Sequence, residues 1–133
     1  MTDKDRYQRA TEVLDEIYPT WREQSTDATS MPGALGAFAR TCVEHCYTDA
    51  WGRKDNPTFD YKTRSLITMA VLATLGSEHE LKMHVDIALN LGHSFDDIGE
   101  LFLHLAPYVG VPRAVAGLRA AGAALTARMQ REG

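Results

Sequence analysis

The chain has 133 residues, 44% of them hydrophobic, with 14 basic against 18 acidic residues and a formal net charge of −4. A chain this long fits one domain over residues 1–133, burying roughly 65–70% of its unfolded surface, so neither a disulfide framework nor a structural metal is needed for a core. The acidic balance argues against a nucleic-acid partner, which requires a basic face to displace counterions from phosphates.

The N-terminus, Met1-Thr-Asp-Lys-Asp-Arg6, carries both signs of charge and no apolar stretch of signal-peptide length. A first helix is predicted over Asp3–Ile17, because Tyr7, Ala10, Val13, Leu14 and Ile17 follow the three-and-four spacing of an amphipathic helix. Pro19 stops it, and the polar stretch from Trp21 to Met31 reads as a loop. Pro32 suits the first turn of a second helix, running to about Trp51. Gly52 to Phe59 is a break, with a turn at Asp55-Asn56-Pro57.

Asp60 can cap a third helix, Tyr61 to Leu75, whose C-terminal half is apolar nearly all round, a pattern expected of a helix buried on several sides. Its longest apolar run, Leu66 to Leu75, is interrupted by Thr68 and Thr74 and is too short to span a bilayer. Gly76 can end this helix in a left-handed conformation. Ser77 begins a fourth helix ending near Gly92, and Ser94 a fifth ending near Tyr108 or Gly110. Pro112 starts a sixth, alanine-rich helix. No segment alternates as a strand does, so the expected fold is all-α, with about six helices. The absence of a signal or spanning segment and of a secreted cysteine framework points to a cytoplasmic protein without a membrane partner.

Two Glu/His pairs stand four residues apart, Glu80/His84 and Glu100/His104. That spacing puts each pair on one helix face, where the carboxylate can orient or charge the imidazole for acid–base work. A structural reading stands beside it: Ser77-Glu-His-Glu80 has the form of a capping box. His84 borders an apolar stripe of Leu81, Ile87, Ala88 and Leu91, which fits either a satisfied core histidine or a site. His79, His84, His93 and His104, with Glu80 and Glu100, have neither His-Glu-x-x-His nor di-iron spacing, so no metal is expected.

Cys42 and Cys46 lack the C-x-x-C spacing of a redox pair and read as two small buried thiols. Arg53 follows Trp51 at the end of the second helix, and Lys62 and Arg64 open the third. Such cations can hold an anionic substrate, or Arg64 can bond a neighbouring carboxylate such as Glu100 and be structural.

Three segments in order resemble the carboxymuconolactone decarboxylase family. They are Thr63-Arg-Ser-Leu-Ile-Thr68; Glu80-Leu-Lys-Met-His84 with Ala88 and Gly92; and Glu100 followed by His104-Leu-Ala-Pro-Tyr108-Val-Gly110-Val-Pro112-Arg-Ala114. Trp51-Gly-Arg53 resembles the Trp-x-Arg that precedes the first of these. The resemblance implies an alkylhydroperoxidase D-like helical bundle, assembled as a homotrimer or homohexamer, with a site near a subunit interface. It implies His84 as the acid–base residue, with Glu80 and Glu100 beside it and Trp51, Arg53, Arg64, His104 and Tyr108 as substrate contacts.

The family's founding activity is a cofactor-free decarboxylation, in aromatic-compound catabolism, of a small anionic lactone, 4-carboxymuconolactone. Redox-active relatives carry a C-x-x-C whose places here are held by Ser77 and Glu80. A thiol-dependent peroxidase and a non-catalytic member of the fold are the alternatives to a lyase. Against the decarboxylases, the segment between Arg53 and Thr63 is longer, and His104 replaces a common Gln.

Overall fold

A computed structural model describes residues 2–24, 28–55 and 57–132, and among these there are helices and no strand. The described residues form two compact units, over residues 1–58 and 59–133. Residues 25–27 of the expected loop and Asn56 of the expected turn lie outside the described residues.

In the N-terminal unit, α1 (Asp3–Ile17) starts at Thr2, whose hydroxyl accepts the Asp5 amide while the Asp5 carboxylate accepts the Thr2 amide. This reciprocal cap satisfies two amides that the first helical turn leaves without partners. Ala10, Val13, Leu14 and Ile17 are buried, as their spacing predicts, together with Tyr18, Tyr47 and Trp51. The expected loop after Pro19 contains a one-turn helix, α2 (Trp21–Gln24), and a 3₁₀ turn, Ala28–Ser30. The Trp21 indole and Arg22 both bond the Asp15 carboxylate, which holds that turn against α1.

The predicted second helix is two segments. Pro32 is the cap of α3 (Gly33–Glu44), one place before the first turn, and a π-turn, His45–Ala50, follows. The Trp51 amide donates to the Cys46 carbonyl five residues back, at 2.9 Å. Arg6 anchors the segment through Asp49 at 2.8 Å and Glu44 at 3.4 Å, and the Thr48 hydroxyl donates to the Arg6 carbonyl. Cys42 and Cys46 are exposed, which corrects the expectation of buried thiols: the buried positions of this stretch are Gly36, Tyr47 and Thr48.

The C-terminal unit packs α4 (Tyr61–Leu75), α5 (Glu78–Asn90), α6 (Phe95–Val109) and α7 (Val111–Glu132) around one core. Asp60 caps α4 by accepting the Thr63 amide at 2.8 Å, and Gly76 ends it at φ 75°, a region that a side chain disfavours. Ser94 and Asp97 form the capping box of α6. Met69 and Ala73 of α4, Leu81, Val85 and Ala88 of α5, and Ile98 and Phe102 of α6 meet the small face of α7, Ala120, Ala121 and Ala124.

Small residues let α7 approach closely. A Cβ on Gly117 would stand 2.7 Å from the Phe102 ring and 3.3 Å from the Ala73 methyl. The far end of α7 is fixed by polar contacts: Arg128 donates to the Asp86 carbonyl and to Asn90 Oδ1, and Arg131 reaches the Asp86 carboxylate at 3.2 Å.

One expectation for α4 does not hold. It buries Ser65, Met69 and Ala73 but leaves Ile67, Val71 and Leu75 exposed, so within one chain it is covered on one side only. No helix among the described residues is long and apolar enough to cross a membrane.

Candidate active site

The sequence places His84 in the middle of α5, three residues after Leu81 and four before Ala88, both core positions. The imidazole is accordingly drawn inside with them and is only 6% exposed. Burial disfavours the charged ring and pushes its pKa down to about 4, against a smaller upward pull from the Glu80 carboxylate one turn earlier. At neutral pH His84 is therefore uncharged, with one N–H to donate and one lone pair to accept.

Glu80 lies in the exposed first turn of α5. The capping box expected of Ser77 and Glu80 is not formed, because Ser77 has ψ 73° rather than an extended ψ and its hydroxyl makes no cap hydrogen bond. Glu80 is thus not consumed by the helix start.

Of the other predicted residues of this unit, Glu100, His104 and Tyr108 lie on α6 and Arg64 on α4. His93, Asp97, Glu100, His104 and Tyr108 recur at helical spacing and form one polar stripe. The first four border a cleft of about 540 Å³ whose apolar wall includes Leu66, Ile67 and Ala70 of α4. His93 is committed: its Nε2–H donates to the Lys62 carbonyl at 3.0 Å, and its Nδ1 is 3.5 Å from the Asp97 carboxylate. Asp97 in turn holds the cap of α6.

Glu100 and His104 are exposed over the cleft, and the His104 ring tilts against Tyr108 with centroids 5.6 Å apart. His84 is not part of this cleft wall. The structure therefore groups Glu100, His104 and Tyr108 on α6, and Glu80 with His84 on α5.

The cations behave differently from the structural reading of them. Arg64 is half-buried at the start of α4, and no Arg64–Glu100 ion pair forms among the described residues. Trp51, buried, and Arg53, exposed, belong to the N-terminal unit. No group of three or more His, Cys, Asp or Glu side chains suited to a metal ion occurs among the described residues.

Sequence reasoning missed Ser65. It is fully buried on the same face of α4 as Met69 and Ala73, four and eight residues on, and its hydroxyl oxygen has no hydrogen-bond partner among the described residues. That four-residue spacing was the available signal. A desolvated hydroxyl without a partner is unfavourable, so Ser65→Ala is expected to leave the protein as stable or to stabilise it by about 1 kcal/mol in denaturant unfolding. A clear loss of stability would show that the hydroxyl is bonded in the folded protein.

Against known families, residues 36–123, from α3 into α7, match the model of the carboxymuconolactone decarboxylase family. The chain is also 31% identical over 121 residues to a 4-carboxymuconolactone decarboxylase of Acinetobacter baylyi, covering 91% of this chain and 87% of that one. A match over most of both chains, through all four helices of the C-terminal unit, is not the product of one shared motif. The chain belongs to the carboxymuconolactone decarboxylase family.

Proposed function

We propose that the protein is a cofactor-independent decarboxylase of a small anionic lactone or oxo acid, in the catabolism of aromatic compounds, with His84 as its acid–base residue. The observation that carries this reading is the similarity to a 4-carboxymuconolactone decarboxylase over nearly the full length of both chains.

The chemistry suits a buried, uncharged imidazole. In such a lactone the departing carboxylate sits on the γ carbon of an unsaturated ring. Its electron pair flows through the ring to the lactone oxygens as CO2 leaves, and one proton is then added to carbon. The His84 N–H can donate to the developing oxyanion, which a dry, pre-oriented donor stabilises better than water does. An anionic substrate beside the ring also raises its proton affinity, so that binding itself favours loading the acid that protonates carbon. Glu80, free of the helix cap, adds to that pull.

Arg64 in one unit, and Arg53 beside Trp51 in the other, are each assigned as a contact for a substrate carboxylate, which a guanidinium matches through two parallel hydrogen bonds. Glu100 is assigned with Glu80 to the acid–base work, and His104 and Tyr108 supply the polar side of the substrate contacts. Although Cys46 reaches the surface, partial desolvation by the atoms around its sulfur, together with the neighbouring Cys42, raises the pKa of its thiol, the reverse of what a reactive thiolate requires. This weighs against the peroxidase alternative.

The test is direct. Purified protein without added metal or cofactor is expected to consume 4-carboxymuconolactone, followed by ultraviolet absorbance, with release of one CO2 per lactone. No turnover at high enzyme concentration would overturn the assignment to this substrate.

A further inference from the structure

The acid–base chemistry of His84 leaves Cys42 and Cys46 without a role, and both are exposed. They stand about one helical turn apart. Glu44 and His45 between them keep regular helical angles, φ/ψ −63°/−43° and −62°/−43°, so the stretch joining the thiols is ordinary α-helix although a π-turn follows. Residues four apart on such a helix share a face, with Cβ atoms about 5–6 Å apart. The two thiols are near enough to feel each other: after partial desolvation, Cys42 is the second cause that raises the Cys46 thiol pKa.

That spacing decides what the pair can do. A disulfide needs Cβ atoms about 3.5–4.5 Å apart, so closing one here would distort the helix. An ion held between two sulfurs needs a wider gap. With a metal–thiolate bond of about 2.3 Å, the length known for zinc, sulfurs on opposite sides of one ion stand ~4.6 Å apart. Two cysteine side chains on adjacent turns reach that separation with the helix intact.

The surroundings set the number of ligands. Glu44 lies 3.4 Å from Arg6, and Asp49 pairs with Arg6 at 2.8 Å and faces His45 at 3.4 Å, so the neighbouring polar groups are engaged with one another. No third His, Cys, Asp or Glu side chain joins the pair in a metal-binding group among the described residues. Two thiolates cannot complete the four-ligand shell that zinc takes in proteins, and calcium and magnesium require oxygen ligands. Thiolates instead select soft ions, of which Cu(I) is satisfied by two sulfurs.

We propose that Cys42 and Cys46 form a two-thiolate clamp for one Cu(I) ion on the exposed surface of the N-terminal unit. The copper enters as Cu(I) and keeps that oxidation state. Each thiol loses its proton to solvent as its S–Cu bond forms. His84 belongs to the other unit, and the clamp stands independently of the catalytic reading.

The experiment titrates reduced, metal-free protein with Cu(I) under anaerobic conditions, against bicinchoninate, whose copper complex is coloured. Copper retained after desalting is counted by elemental analysis. Wild type is expected to hold one Cu(I) per chain. Cys42→Ser and Cys46→Ser are each expected to weaken binding by about 10²-fold or more, because the second thiol of a clamp acts as an intramolecular ligand. Both substitutions fall on exposed positions, so helical circular dichroism is expected to be retained. Two ions per chain, or single variants that bind as tightly as wild type, would mean two independent thiols and overturn the clamp. So does a wild type that yields all its copper to bicinchoninate.

Discussion

His84→Ala is expected to lower kcat for the lactone by about 10²–10⁴-fold, the usual contribution of a positioned acid–base group. The effect should fall on kcat rather than KM, because a group acting on developing charge contributes more in the transition state than in the ground state. The ring is buried among core residues of α5, so its removal leaves a void with a folding cost of its own. His84→Gln separates the two effects: it fills most of the volume and keeps a donor but cannot carry a proton. If His84 moves a proton, both variants are impaired. A glutamine variant with wild-type kcat would confine the ring to hydrogen bonding, and an alanine variant with wild-type kcat would remove it from the reaction.

The same ring is expected to give folding stability a marked dependence on acid. Its pKa in the folded protein is pushed down to about 4, from 6.5 for a free histidine, so the unfolded chain binds the proton more readily. The native state is thus favoured in full above pH 6.5. That advantage is lost as pH falls toward 4, by about 1.4 kcal/mol per pH unit and on the order of 3 kcal/mol in all. Below pH 4 both states are protonated and this contribution changes no further. Denaturant unfolding of wild type and His84→Gln at steps between pH 7 and 4 measures it: the wild-type curve should fall more steeply by that amount. Parallel curves would mean that the folded ring takes up a proton as readily as the unfolded one.

Much of the fold was legible in the sequence where its chemistry is local. Asp60 and Gly76 bound α4 at Tyr61 and Leu75 as expected, because a cap and a left-handed glycine act on neighbouring backbone. Ser94 opened α6 for the same reason. Ser77 had the right partner at Glu80 but not the backbone angle, which the tight turn from α4 sets. The apolar half of α4 was read as burial on several sides. Apolarity shows that a surface avoids water, not that the same chain covers it, and Ile67, Val71 and Leu75 remain open.

The site divides in the same way. Helical spacing correctly put Glu80 with His84 and Glu100 with His104, since three-and-four neighbours share a face in any helix. Which of its same-face neighbours a side chain meets depends on its rotamer, and His104 leans on Tyr108, four residues on along the same helix. The depth of His84 depends on how α5 packs within its unit, and only its position among Leu81, Ile87 and Ala88 hinted at it. Arg64 and Glu100 were plausible partners by charge, but charge fixes no distance.

The π-turn at His45–Ala50 carries a consequence for comparing relatives. A turn closed over five residues accommodates one residue more than a regular helix does, so it behaves as a single-residue insertion absorbed without a loop. Everything after it, Trp51 first, is rotated by about 100° from where an unbroken α-helix would point it. A relative with a regular helix here would align with a one-residue gap between positions 45 and 50. Shortening this chain by one residue there is expected to restore a regular helix with Trp51 still on its buried face.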